Sequence, residues 1–184
     1  MFMSPFQSYA LLIGRILFCA LFVGSAAYQI THFAQVREEM IAVGMPPSLT
    51  LLSWLLGFAI FLQLFGSLLI VLGLKVQFGA LFLFSFLIPA TTLFHGFWNY
   101  TPEAQMARMS DEQRLALEDP QQRERWEAEL QQTYERQKVR FTKNIAIAGA
   151  LLMIMSFGAG PISLDARWGD GTGIPFRDEF GNPL

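Results

Sequence analysis

Charge is scarce in this chain outside one segment. Charged residues are mostly packed into Glu103–Lys143, where the two signs alternate, and the whole sums to a formal net charge of −2. There is no basic block of the kind that grips phosphates, so the pattern gives no reason to expect a nucleic-acid partner. Cysteine is almost absent. Cys19 stands alone, which rules out an internal disulfide and a multi-thiolate metal site. Histidine occurs twice, at His32 and His95. Two imidazoles with no nearby intramembrane carboxylate make a poor metal site, so none is expected. The familiar catalytic signatures GxSxG, HExxH, CxxC and the P-loop are missing as well. No catalytic residues are assigned on that basis.

What the chain has instead is apolar length. It is 53% hydrophobic, and those residues are concentrated in runs. Four windows, Tyr9–Ile30, Leu49–Leu72, Val76–Phe97 and Asn144–Phe157 with its flanks, are long enough to cross a hydrocarbon core of ~30 Å. A soluble protein of this size would have too little polar surface to cover them. Arg15 followed by "ILFCALFVGSAA" also has the outline of a secretory leader. However, the apolar run continues through Tyr28 to Phe33, and it is read as the first membrane helix.

The expected fold is all-α: a membrane-spanning, up-down four-helix bundle, with helix four extended as an amphipathic stalk outside the bilayer. Residues 1–100 hold helices one to three, 101–141 the polar helical insert and stalk, 142–160 helix four, and 161–184 an extended tail. The link "AQVREEMIAVGMPPS" has helical spacing at Val36, Met40 and Val43 and reads as a short interfacial helix, ended by Gly44 and Pro46–Pro47. Pro89 lies inside helix three, where a kink is expected. In the polar segment, Ser110-Asp-Glu-Gln113 is a capping-box pattern, and Asp119–Pro120 reads as a cap followed by proline at the first helical position. From there nothing interrupts a helix. Trp126, Leu130, Tyr134 and Phe141 fall near one face of it, either as part of a solvated helix or as a surface for a protein partner. Four crossings put both termini on one side. Arg37 and eight further Lys or Arg residues from Arg108 to Lys143 lie on the other, which places the stalk in the cytoplasm.

Polar residues inside the apolar windows need partners. Arg15, Ser25, Gln29 and His32 form a stripe on helix one. Ser53, Gln63 and Ser67 do so on helix two, and Ser85, Thr92, His95 and Asn99 on helix three. These stripes are expected to face inward. By depth, Gln29, His32, His95, Trp98, Asn99, Lys143 and Asn144 converge at one end. They form a candidate ligand pocket with Gln63 as its floor. Arg15 and Asp165 meet at the opposite face as an expected ion pair.

The pieces "GRILFCALFVGSAAYQITHF", "VGMPPS", "LFGSLLIVLGL", "LFHGFWNY", "FTKNIAIAGALL" and "GPISLD" resemble the DoxX family of small four-helix membrane proteins. The order HxFW then FxKN carries much of the likeness. The resemblance marks Gly14–Arg15, Gly44–Pro46, His95, Trp98, Lys143, Asn144 and Asp165. It also shows departures: Gln29 stands where the family commonly has lysine, and Gln63 where it commonly has glutamate. The polar insert is longer than the family's usual link. The resemblance implies a bacterial inner (cytoplasmic) membrane protein. The expected role is a subunit or anchor of a quinone-linked oxidoreductase complex. Such a subunit would carry no redox centre and would touch lipid, other membrane subunits and a quinone. The alternatives are an assembly protein that docks a partner through Trp126, Leu130 and Tyr134, and a transporter, for which no inverted repeat is visible.

Overall fold

The computed structural model describes residues 5–168. Within them the chain is helical throughout. The order is α1 (Pro5–Thr31), α2 (Phe33–Ala42), α3 (Leu49–Leu72), α4 (Val76–Phe94), a 3₁₀ turn (Phe97–Tyr100), α5 (Pro102–Met106), α6 (Asp111–Ala116), α7 (Pro120–Phe157) and α8 (Leu164–Trp168). Four of these helices are long and apolar enough to cross a membrane, as expected. Their apolar surface is mostly not covered by the chain itself. Leu17, Leu21, Trp54, Phe58, Phe61 and Leu68 are each more than half exposed. Within the apolar window of α7 only 11% of residues are buried. Lipid is the solvent that such a surface requires. The chain is an integral membrane protein.

It divides into two compact units. One runs to Leu87 and resumes at Ala148; the other is Ile88–Ile147. In the first unit α1 packs along α3. The face that α1 turns inward is Arg15, Cys19, Phe22 and Ala26, at i, i+4, i+7 and i+11. Ser48 caps α3 by accepting from the Leu51 amide. Val36 and Met40 of α2 are buried, and Arg37 donates to Ser53 Oγ at 3.0 Å. The helix expected in that link is therefore present and lies against α3.

Helix α3 ends in a Schellman motif. Gly73 takes φ +67°, its amide bonds to the Ile70 carbonyl, and the Leu74 amide bonds to Leu69. The turn is so short that α4 returns directly along α3. The two helices approach through glycine: a Cβ on Gly66 would sit 2.8 Å from the Gly79 carbonyl oxygen, and one on Gly79 equally close to the Gly66 oxygen. Small residues at a membrane helix contact allow this backbone approach.

In the second unit α4 continues past Pro89 and stops at Phe94, shorter than the expected Phe97. The chain turns at Gly96, and a 3₁₀ turn follows. Thr101 caps α5 with Pro102 at the first position. The capping box at Ser110 and Gln113 forms as read, with bonds of 3.3 and 3.0 Å. Asp119 Oδ1 accepts from the Gln121 amide at 3.0 Å. Helix α7 then runs unbroken for 38 residues, about 57 Å at 1.5 Å per residue. The stalk and the fourth apolar segment are one helix.

Three expectations need correction. Ser85 and Thr92 of α4 do not face inward; both are exposed, and Thr92 returns its hydroxyl to the Ile88 and Pro89 carbonyls at 3.1 Å. The buried face is Ala80, Leu83, Leu87 and Thr91. Second, residues 164–168 are helical rather than extended, because Ser163 caps them by accepting from the Ala166 amide at 3.2 Å. The remainder of the expected tail, 169–184, lies outside the described residues. Third, Leu130 and Tyr134 are not an open docking face. Leu130 is buried and Tyr134 packs edge-on against Phe97 at 5.6 Å, while Trp126 is half-buried.

Candidate functional site

The first unit carries its polar residues in two places. At one, Arg15 is 5% exposed although it lies within a membrane helix. A guanidinium does not lose its proton at any ordinary pH, so its charge must be met where it stands. Nη1 donates to the Ile70 carbonyl at 3.4 Å and Nη2 to the Ile162 carbonyl. Ile70 belongs to the last turn of α3, where the helix dipole is negative, and its carbonyl accepts from Arg15 as well as from the Gly73 amide. The expected pairing of Arg15 with Asp165 is not what forms. Asp165 Oδ2 instead accepts from the Lys75 amide at 2.7 Å, and the Asp165 amide donates to the Gly73 carbonyl at 3.2 Å. Lys75 itself adopts φ +46°. Both charged residues thus hold the same α3–α4 turn, Arg15 from α1 and Asp165 from the first turn of α8. Ser163 lies at the centre: a Cβ on Gly73 would fall 2.4 Å from its Cβ and 2.6 Å from Arg15 Nη1.

The other place is an amide chain. Gln63 Nε2 donates to Gln29 Oε1 at 2.8 Å, and Gln29 Nε2 donates to Ser25 Oγ at 3.3 Å. Gln63 is wholly buried and Ser67, one turn on, is 2% exposed. His32 does not join them. It is exposed, stacks on Tyr28 at 4.3 Å and hydrogen-bonds the Tyr28 carbonyl at 3.2 Å, closing the end of α1.

The second unit holds the other candidates. His95 is half-buried just past α4, and its Nδ1 lies 2.9 Å from Gln137 Oε1 of α7. One turn back, the buried Thr91 Oγ1 accepts from Asn144 Nδ2 at 2.9 Å. These two bonds join α4 and α7 in antiparallel register. Beyond them Phe97 meets Phe141 at 5.5 Å, and Trp98 meets Phe141 at 5.6 Å. A side chain on Gly96 would strike the Trp98 ring at 2.9 Å, so glycine lets the indole fold back. Asn99 is spent locally: its Oδ1 accepts from Arg108 at 3.1 Å and its carbonyl from Gln105 at 2.7 Å. Lys143 is exposed. His95, Trp98 and Asn144 therefore share the α4–α7 junction.

Gln137 and Thr91 were missed from the sequence. Both had a signal. Gln137 continues the Leu130, Tyr134, Phe141 face at i+7, and Thr91 continues Ala80, Leu83, Leu87 at i+11. The polar stripe Ser85, Thr92, His95 and Asn99 pointed to Thr92 instead.

Residues 10–96 match the family model for DoxX. The chain carries a DoxX domain over that segment. The matched segment runs from α1 to the histidine after α4, so it contains Arg15, the Gly73 turn, both glutamines and His95. No curated protein and no solved structure matches this chain.

Proposed function

We propose that this DoxX protein is a membrane subunit of an oxidoreductase complex, and that it binds a quinone headgroup at His95 without holding a redox centre of its own. The observation that carries this reading is the His95–Gln137 hydrogen bond. With Gln137 Oε1 as acceptor, Nδ1 carries the ring proton and donates it. Nε2 then keeps its lone pair. A half-buried imidazole with a fixed tautomer at the end of a membrane helix can accept a hydrogen bond from a quinol hydroxyl. The aromatic group Phe97, Trp98 and Phe141 follows directly, and the half-exposed Trp98 indole offers a flat face for a ring. Lys143, exposed on α7 beside Asn144, adds a cation in the same unit. The positive residues of the stalk support a cytoplasmic position for α5, α6 and the start of α7 in a bacterial inner membrane.

The test is a binding titration. Protein in lipid nanodiscs is titrated with a short-chain quinol, kept reduced, while tryptophan emission is followed, with Trp98→Phe as the optical control. His95→Ala should weaken binding about tenfold, the loss of one hydrogen bond of roughly 1–1.5 kcal/mol. Equal affinity in wild type and His95→Ala, or no saturable quenching in wild type, would reject the site. Solvent extracts of the purified protein should contain quinone.

A further inference from the structure

Gln63 presents an unusual account of hydrogen bonds. Both hydrogens of its Nε2 are used, toward Gln29 Oε1 at 2.8 Å and the Ala59 carbonyl at 3.3 Å. Its Oε1 is fully buried and has no hydrogen-bond partner among the described residues. Reversing the amide does not remove the orphan. Gln29 would have to turn with it, and Gln63 would then present an unmatched NH₂ in place of an unmatched oxygen. Ser67 lies one helical turn along the same face of α3, and its Oγ is likewise buried with no partner. The Cys19 thiol of α1 interacts with it electrostatically, though the contact does not meet hydrogen-bond geometry. Gln63 Oε1 and Ser67 Oγ are thus buried polar atoms one helical turn apart on α3, and Gln63 is tied to α1.

Buried polar groups in proteins are almost always matched, and where protein atoms do not match them an internal water does. Such a water needs two to four polar partners. This site offers an amide group on one side and a hydroxyl that both donates and accepts on the other. The occupant must also be small. The surrounding Phe22, Leu62, Gly66 and Ile70 are all buried, and Gly66 already touches the neighbouring helix backbone. We infer that the α1–α3 interface holds a bound water between Gln63 and Ser67, extending the Ser25–Gln29–Gln63 hydrogen-bond chain toward Cys19. The water donates to Gln63 Oε1 and accepts from the Ser67 hydroxyl. The seam is therefore a continuous polar line through the interface.

Radiolytic footprinting of the whole protein in lipid nanodiscs tests this. Hydroxyl radicals formed from bound water modify side chains beside it, even when bulk solvent cannot reach them. Cys19 and Phe22, both almost wholly buried, should be modified promptly, while the equally buried Leu52 and Leu151 should not. In H₂¹⁸O the heavy isotope should appear on Phe22. Ser67→Ala, which removes one partner of the water, should bring Cys19 and Phe22 down to the Leu52 background. Cys19 and Phe22 at background in the wild-type protein would overturn the inference, whatever the variant does. Unchanged modification in a folded Ser67→Ala protein would also overturn it.

Discussion

Replacing Gly73 by alanine tests the junction at its tightest point. The added methyl meets two penalties. The first is conformational: φ is +67°, and an L-residue there costs about 1–2 kcal/mol. The second is steric. The new Cβ would lie 2.4 Å from Ser163 Cβ, 2.9 Å from Ser163 Cα and 2.6 Å from Arg15 Nη1. Ser163 cannot step aside cheaply, because its hydroxyl donates to the Gly160 carbonyl at 2.8 Å and caps α8. The turn must instead part from the 160–165 segment. That motion stretches the Arg15 bonds to Ile70 and Ile162, and charge-assisted bonds are worth about 1.5–3 kcal/mol each. Together the loss should be roughly 3–5 kcal/mol. The assay is reversible unfolding in mixed micelles, with Gly57→Ala as control. Gly57 is also in α3, but nothing lies within 4 Å of its Cβ position, so alanine there should cost nothing. If Gly73→Ala is no worse than Gly57→Ala, the junction does not carry the strain assigned to it.

Four further outcomes are expected. Gly66→Ala should force α3 and α4 apart and cost more than Gly149→Ala, whose Cβ has open space, in the same unfolding assay. Arg15→Gln and Asp165→Asn hold one turn from two sides, so their losses should differ from additivity by at least about 0.5 kcal/mol in a double-mutant cycle. Additive losses would mean that the turn does not connect them. Phe97→Leu and Tyr134→Leu should show a coupling of about 0.5–1.5 kcal/mol, because the rings meet edge-on; zero coupling would free Tyr134 for an outside partner. Cys19, 1% exposed, should resist maleimide in the folded protein and react fully once it is denatured.

The membrane helices were legible because nothing in the chain competes with the signal. The window Leu49–Leu72 matches α3, which the structure closes with Ser48 as a side-chain cap and Gly73 as a left-handed terminus. The stalk was legible from caps as well, at Ser110 and Asp119. The inward face of α4 was not. A polar-stripe argument assumes that hydroxyls avoid lipid, but a threonine in a helix can return its hydrogen to a carbonyl one turn back. Thr92 does so, and then costs little on an exposed face. Apolar periodicity through Ala80, Leu83 and Leu87 would have picked Thr91.

The Arg15 partner was misread for a related reason. A carboxylate is the natural partner for a buried cation when only side chains are counted. Backbone was left out of that count. At the C-terminal end of a helix the peptide dipoles add, and a carbonyl already capped by a turn amide keeps a second lone pair for another donor. Arg15 reaches that end of α3, so its charge is met by the fold before any side chain is needed. Asp165 is then free to hold an amide that the same turn leaves open, that of Lys75. The two residues are linked through the main-chain turn that each holds rather than by the direct pairing expected. A double-mutant cycle sees such a link as weaker than a direct pair. A substitution in the turn itself, Gly73→Ala, should therefore disturb both partners more than removing either one disturbs the other.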